Sequence, residues 1–319
     1  MGYKELPSLE MLMNILRKTL NTAWNINTIH EAGVNKWLSN FVGDALCTST
    51  FEHEKATELE KRISLFLLCN FVYYNEAEVK HLMKVMIENY IHEYFFRQGK
   101  SIVDDSEIEE LIKKTTFFPL GNQSESSSYM LYIFRQINDL SKYDFEEKKD
   151  SENIVFVDDF SITGTQANRY IKDYLKKHPD SVYKKLYVLL MVSTQDAIKK
   201  IKSINQVDNV LPCIVMDDSS KVFSDSSIVF QGYSPEIKEQ AKKVCQYYGE
   251  LILNEEDKKH GATALGFGDG GYLMGTYYNT PNNTLPIFWS DENSWQPIFQ
   301  RYNKKYTNKS SVRIGGHYV

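Results

Sequence analysis

From Ser8 to about Lys114, apolar residues recur at three- and four-residue spacing, as in Leu9, Met13 and Leu16 and again in Val79, Leu82, Val85, Met86 and Tyr90. That period draws one apolar stripe along a helix. Start signals agree with it, because Thr28 with Glu31 and Asn75 with Glu78 each place a capping oxygen three residues ahead of a carboxylate. Residues 1–114 therefore read as a helical N-terminal region, with Trp37, Phe41, Phe66, Phe71, Tyr73, Tyr74, Tyr94, Phe95 and Phe96 as packing residues rather than a ligand box. From Thr115 the period changes. Apolar runs at 117–120, 154–157, 186–192 and 213–216 alternate with helical stretches at 126–140, 166–177 and 195–204. Strands alternating with helices predict a parallel sheet, so 115–218 reads as an α/β core. The remainder, 219–319, reads as a hood: a helix over 235–251, then Gly- and Asn-rich, hairpin-like material running into an apolar strand near Ile287. Gly266, Gly268 and Gly271 match G-x-G-x-x-G, but Tyr272, Leu273 and Met274 follow in a strand-like run. A dinucleotide loop needs a helix there, so a β-turn between strands is the reading.

The run Ile154, Val155, Phe156, Val157 ends in Asp158 and Asp159 and then opens through Phe160, Ser161 and Ile162 into Thr163, Gly164 and Thr165. Ligands of open α/β sheets bind beyond the carboxyl ends of the strands. Paired carboxylates at that edge accept hydrogen bonds from sugar hydroxyls, and a small Thr/Gly loop leading into a helix presents N–H groups to an anion. The plainer alternative is an Asp-rich turn after a strand. A second loop, Gly121, Asn122, Gln123, Ser124, Glu125, Ser126 and Ser127, follows the first sheet strand. It reads equally as a phosphate cradle or as a serine-rich helix cap.

This pattern resembles the type I phosphoribosyltransferases, whose signature is a strand, two acidic residues and a Thr/Gly loop. The resemblance implies that Asp158 and Asp159 hold the ribose hydroxyls of phosphoribosyl pyrophosphate. It also implies that Ser161, Thr163, Gly164, Thr165 and Gln166 hold its 5′-phosphate, and that Gly121, Ser124, Ser126 and Ser127 face the pyrophosphate. Mg²⁺ would ride on ligand oxygens with help from Asp158, Asp159 and Asp217, the last ending another sheet strand. The chain departs from the family at Phe160, Ser161 and Ile162, and Ile162 stands where some purine-specific members carry an Asp. The Gly-Asp-Gly, Asn-Thr-Pro-Asn-Asn-Thr and Trp arrangement of the carboxyl-terminal part is similar to a group of uncharacterised bacterial phosphoribosyltransferase-like proteins, some from defence or conflict loci. The implied fold is a phosphoribosyltransferase-like parallel sheet core with a helical N-terminal region and an irregular, β-rich C-terminal hood.

Composition narrows the partners. With 319 residues, 42% hydrophobic content and a net charge of −5, the chain can fill a core and is not built to coat nucleic acid. Arg301, Lys304, Lys305, Lys309 and Arg313 read as a solvated tail. Cys47, Cys69, Cys213 and Cys245 form no C-x-x-C pair and read as buried thiols. The start lacks the basic-then-apolar order of a secretory signal, and the apolar run 65–74 is broken by Asn70 and too short for a bilayer. A cytoplasmic protein without a membrane partner is the expectation. Two functions follow. One is Mg²⁺-dependent transfer of a pentosyl group from phosphoribosyl pyrophosphate to a base or nucleotide. The other is a catalytically reduced nucleotide or sugar-phosphate sensor or effector subunit in a bacterial defence system, which the short polar connection 141–153 favours, because the family places a long mobile loop there to exclude water. Exposed helical faces in the N-terminal region could serve a protein partner or a homo-oligomer.

Overall fold

The structure, a computed structural model, describes residues 2–20, 31–48, 52–121, 126–140, 151–259, 261–299 and 301. Its N-terminal elements are α1 Leu9–Thr19, α2 Glu31–Leu38, α3 His53–Cys69, β1 Val72–Tyr74, α4 Glu76–Phe96 and α5 Asp105–Lys113. The core follows with β2 Thr115–Pro119, α6 Ser126–Ile137, β3 Asn153–Ser161, α7 Thr165–Lys177, β4 Lys185–Thr194, α8 Gln195–Lys202 and β5 Val207–Met216. Then come α9 Pro235–Ile252, α10 Glu255–Lys259 and β6 Met274–Thr276. Asn75 caps α4 in a full capping box with Glu78, and Asp104 does the same for α5 with Glu107. Each box satisfies orphan N–H groups that a helix start would otherwise leave bare. Thr28 lies outside the described residues.

β2, β3, β4 and β5 form one parallel sheet in that order. Side chains alternate across a strand. Accordingly Val155, Val157, Tyr187, Leu189 and Met191 pack under α4, α5 and α6, while Ile154, Phe156, Leu186, Val188 and Leu190 pack under α7 and α8. Burial on both faces explains the unbroken apolar runs of β3 and β4. β5 carries Pro212, tolerable because β5 has β4 as its sheet neighbour on one side only.

A second core joins the two ends of the described chain. Trp37 and Trp295 both donate their indole N–H to the Ile287 carbonyl, at 2.8 and 2.9 Å, and Phe41 packs edge-on against Trp37, Tyr248 and Trp295. Leu12, Leu16, Ile63, Leu67, Val244 and Phe288 belong to the same cluster. Thus α1, α2 and α3 pack with α9 and the segment 285–299, whereas α4 and α5 pack on the sheet, and these cores cross the positions 114 and 218.

Several local expectations change. The helical stretch contains β1, which pairs in parallel with β6 through Val72↔Met274 and Tyr74↔Thr276. The strand-like run after the triple-glycine motif does carry β6, but the motif is not a hairpin turn: Phe267–Asp269 is a 3-10 turn, with Gly266, Gly268 and Gly271 at positive φ, and β6 pairs with the distant β1. Pro286–Phe288, expected as a strand, is also a 3-10 turn, because Pro286 supplies no N–H for a ladder. Cys47 is exposed rather than buried, and Phe96 is 67% exposed rather than packed. Among the described residues no helix is long and apolar enough to cross a membrane.

Candidate functional site

β3 does not stop before the acidic pair. It runs through Asp158, Asp159 and Phe160 to Ser161, which pairs with Ser193 of β4. Successive strand residues point to opposite faces, so Asp158 continues the row of Ile154 and Phe156, and Asp159 that of Val155 and Val157. The two carboxylates straddle the strand end. Asp158 is half-buried and accepts from the Asp159 N–H at 3.0 Å. Asp159 is only 3% exposed, accepting from the Phe160 N–H at 2.9 Å through Oδ1 and from the Asn279 side-chain amide at 3.0 Å through Oδ2.

The Thr/Gly loop is held by the neighbouring strand. Ser193 Oγ donates to the Ser161 carbonyl at 2.9 Å and Thr194 Oγ1 to the Ile162 carbonyl at 2.7 Å. Gly164 adopts the left-handed conformation, φ 64°, directly before α7, and a Cβ there would stand 2.9 Å from both Cα and O of Ala197 in α8. Only glycine fits. At the start of α7 the Thr165 N–H reaches Thr163 Oγ1 at 3.4 Å, and Lys200 Nζ donates to Thr165 Oγ1 at 2.7 Å. Oriented N–H groups, two threonine hydroxyls and a lysine together suit an anion. Gly164→Ala should therefore cost about 2–4 kcal/mol, combining left-handed strain with a backbone clash. Urea denaturation measures it, and a cost under about 1 kcal/mol would contradict this geometry.

The departures from the family pattern seat the hood. Ile162 packs with Tyr272 and Met274, and with Phe160 and Met216 beside them. The triple-glycine turn lies over the loop, with the Thr163 methyl 4.0 Å from where a Gly268 Cβ would be. β6 delivers Tyr277, Tyr278 and Asn279 to the strand end. The Tyr277 N–H bonds the Tyr74 carbonyl at 3.0 Å, and Asn279 is fixed by Thr276, whose Oγ1 accepts from its N–H at 3.0 Å. The Tyr278 ring stands 5.3 Å from Tyr129 of α6 and 5.1 Å from Tyr277. Its hydroxyl is enclosed beside Asp159 and Asp158 yet makes no hydrogen bond of ordinary geometry. Burial first, then the two carboxylates, push this phenol well above its usual range.

The remaining motif residues divide. Gly121 is buried at the end of β2, where the Leu120 N–H reaches the Val157 carbonyl at 2.9 Å. Ser126 opens α6, and Ser127 is 1% exposed with an unpartnered hydroxyl. Ser124 lies outside the described residues. Ser161 is buried, and Gln166 is exposed in the first turn of α7. Asp217 follows β5, which β4 separates from β3 by roughly 10 Å at ordinary strand spacing. Its carboxylate caps a turn, accepting from the Ser219 N–H at 2.9 Å and hydroxyl at 2.5 Å, and these bonds hold it below the usual carboxylate range. Asp218 pairs with Lys221 at 2.7 Å. Among the described residues no three His, Cys, Asp or Glu side chains converge as a metal cage. A groove of about 550 Å³ between α4 and α5, lined by Ile91, His92, Phe95 and Val103, contains none of the motif residues.

The family described as PRTase-CE matches residues 34–301. The chain belongs to that family. PRTase-CE is a phosphoribosyltransferase-like family, and the parallel sheet, acidic pair and threonine loop lie inside the matched span. No curated protein and no solved structure matches the chain. Within this PRTase-CE chain, sequence reasoning missed Lys200 and Asn279. A lysine on the helix after the next strand was a discoverable signal for Lys200, since parallel neighbours put that helix beside the loop. Asn279 sits in a turn-rich segment and gave none.

Proposed function

We propose that this phosphoribosyltransferase-like protein binds phosphoribosyl pyrophosphate, or a related ribose 5-phosphate ligand, at the carboxyl end of β3. The observation that carries this reading is the left-handed Gly164 loop opening onto the start of α7, with Lys200 on Thr165 and the acidic pair alongside. The 5′-phosphate would sit on Thr163, Gly164, Thr165 and Lys200, the ribose diol on Asp158 and Asp159, and the pyrophosphate toward Gly121, Ser126 and Ser127. A divalent ion fits this donor set in one way. The acidic pair would lend a carboxylate oxygen to a Mg²⁺ whose other ligands are substrate oxygens and water. When bound, the ion would neutralise charge on the departing pyrophosphate. The protein's part would be to orient the sugar, hold the 5′-phosphate and cover the reacting carbon with the hood, the acceptor being a base or nucleotide.

The Asn279 bond to Asp159 favours a second reading, a sugar-phosphate sensor or effector subunit of a bacterial defence system that binds without transfer. Melting curves with phosphoribosyl pyrophosphate and Mg²⁺ test both. At a hundredfold excess over Kd the ligand should add about 2.7 kcal/mol, a rise of several degrees in Tm. Pyrophosphate release in a mixed pool of bases marks the enzyme, and stabilisation without release marks the sensor. No stabilisation and no release would refute the reading.

A further inference from the structure

A carboxylate meant for a ribose hydroxyl is, in the free protein, covered. Asp159 Oδ2 accepts from the Asn279 side chain at 3.0 Å, and the two residues are 3% and 7% exposed. The position that a sugar hydroxyl would take as donor is filled by a donor of the same kind from the hood. A second observation falls on the neighbouring residue: the Tyr278 hydroxyl is enclosed beside the same two carboxylates and meets Asp159 without a hydrogen bond of ordinary geometry. Buried polar groups are nearly always well satisfied, so a phenol held this loosely calls for a physical explanation. A segment seated short of its best hydrogen bonding is one that a competing ligand can lift.

We infer that Asn279 is an affinity-determining residue of the sugar site, standing in for a ribose hydroxyl until the ligand displaces it. The inference rests on the reading of the site given above. Entry of the sugar breaks the Asn279–Asp159 bond and forms a sugar–Asp159 bond in its place. Residues 277–279 then shift off the strand end, which frees the Tyr278 phenol, held protonated by burial and by its carboxylate neighbours, to donate. The pinning of Asn279 to Thr276 sets how firmly this segment sits.

The sign of one substitution separates displacement from positioning. Asn279→Ala removes the competitor, so ribose 5-phosphate should bind roughly three- to tenfold more tightly by calorimetry, the fold-change that matches one ordinary hydrogen bond, while the ligand-free Tm falls. A residue that merely positions Asp159 would give weaker binding instead. Amide exchange on the wild-type protein supplies a readout independent of the variant's folding: N–H groups within 274–280 should exchange faster once ribose 5-phosphate is bound. Unchanged or weaker binding in Asn279→Ala, or slower exchange in that segment, overturns the inference while leaving the site reading intact, provided the wild type binds. If the wild type binds no ribose 5-phosphate, the site reading fails and takes this inference with it.

Discussion

Asp158→Asn combined with Asp159→Asn should abolish pyrophosphate release from phosphoribosyl pyrophosphate and weaken binding of the ligand by at least tenfold, with the fold kept. In the proposed site each carboxylate would accept a hydrogen bond from a sugar hydroxyl as a charged acceptor, and such bonds are worth about 1.5–3 kcal/mol each. Amidation also removes the charge with which the pair would help hold a cation. The fold should survive because the bonds around the pair are local: a carboxamide keeps one oxygen that can accept from the Phe160 N–H, and only the single bond from Asn279 is given up. Circular dichroism and melting check the fold, and a pyrophosphate-release assay with calorimetry checks the function. A double variant that still binds and releases at wild-type levels would place the ribose elsewhere.

Glu60→Ala should be the most destabilising single change in the helical half of the molecule. Glu60 on α3 is fully buried and accepts three hydrogen bonds, from the Gly43 N–H at 2.8 Å, the Leu46 N–H at 2.9 Å and the Tyr248 hydroxyl at 2.6 Å. Tyr248 in turn accepts from the Val42 N–H at 2.9 Å. One carboxylate thus ties α3, the 42–46 turn and α9 together. Truncation strands several enclosed donors at once, and breaking a buried network of this kind costs about 3–5 kcal/mol. Glu60→Gln keeps an acceptor and should lose roughly 1–3 kcal/mol. Urea denaturation of the three proteins measures the difference; equal stability of alanine and glutamine variants would mean that the network contributes little. Ligand affinity per folded molecule should change little, because this network lies in the core of α1, α2, α3 and α9, apart from the sheet.

The placement of the hood also explains why the motif looks irregular. Phe160 and Ile162, two of the positions that depart from the type I phosphoribosyltransferase pattern, pack here with Tyr272 and Met274. Read in isolation, those residues weaken the resemblance. In the fold they anchor the segment that carries Asn279 to Asp159.

Much of the architecture was legible along the chain. Periods of two and of three to four residues mark which positions face a core, so the alternation after Thr115 predicted the parallel sheet, and the strand–acid–threonine order marked the acidic pair and loop that we propose as its site. The Asn75–Glu78 cap was equally readable, since a capping box is made within one turn. Local patterns did not reveal where β3 ends, because a carboxylate at a sheet edge satisfies ladder and ligand positions alike. They also could not reveal that Asn279 meets Asp159, 120 residues away, that Tyr248 meets Glu60 across 188 residues, or that β1 pairs with β6. Periodicity reports how each segment divides between core and solvent, through burial of its own side chains. Which two distant segments share a core depends on how whole layers pack, and only the tertiary structure decides that.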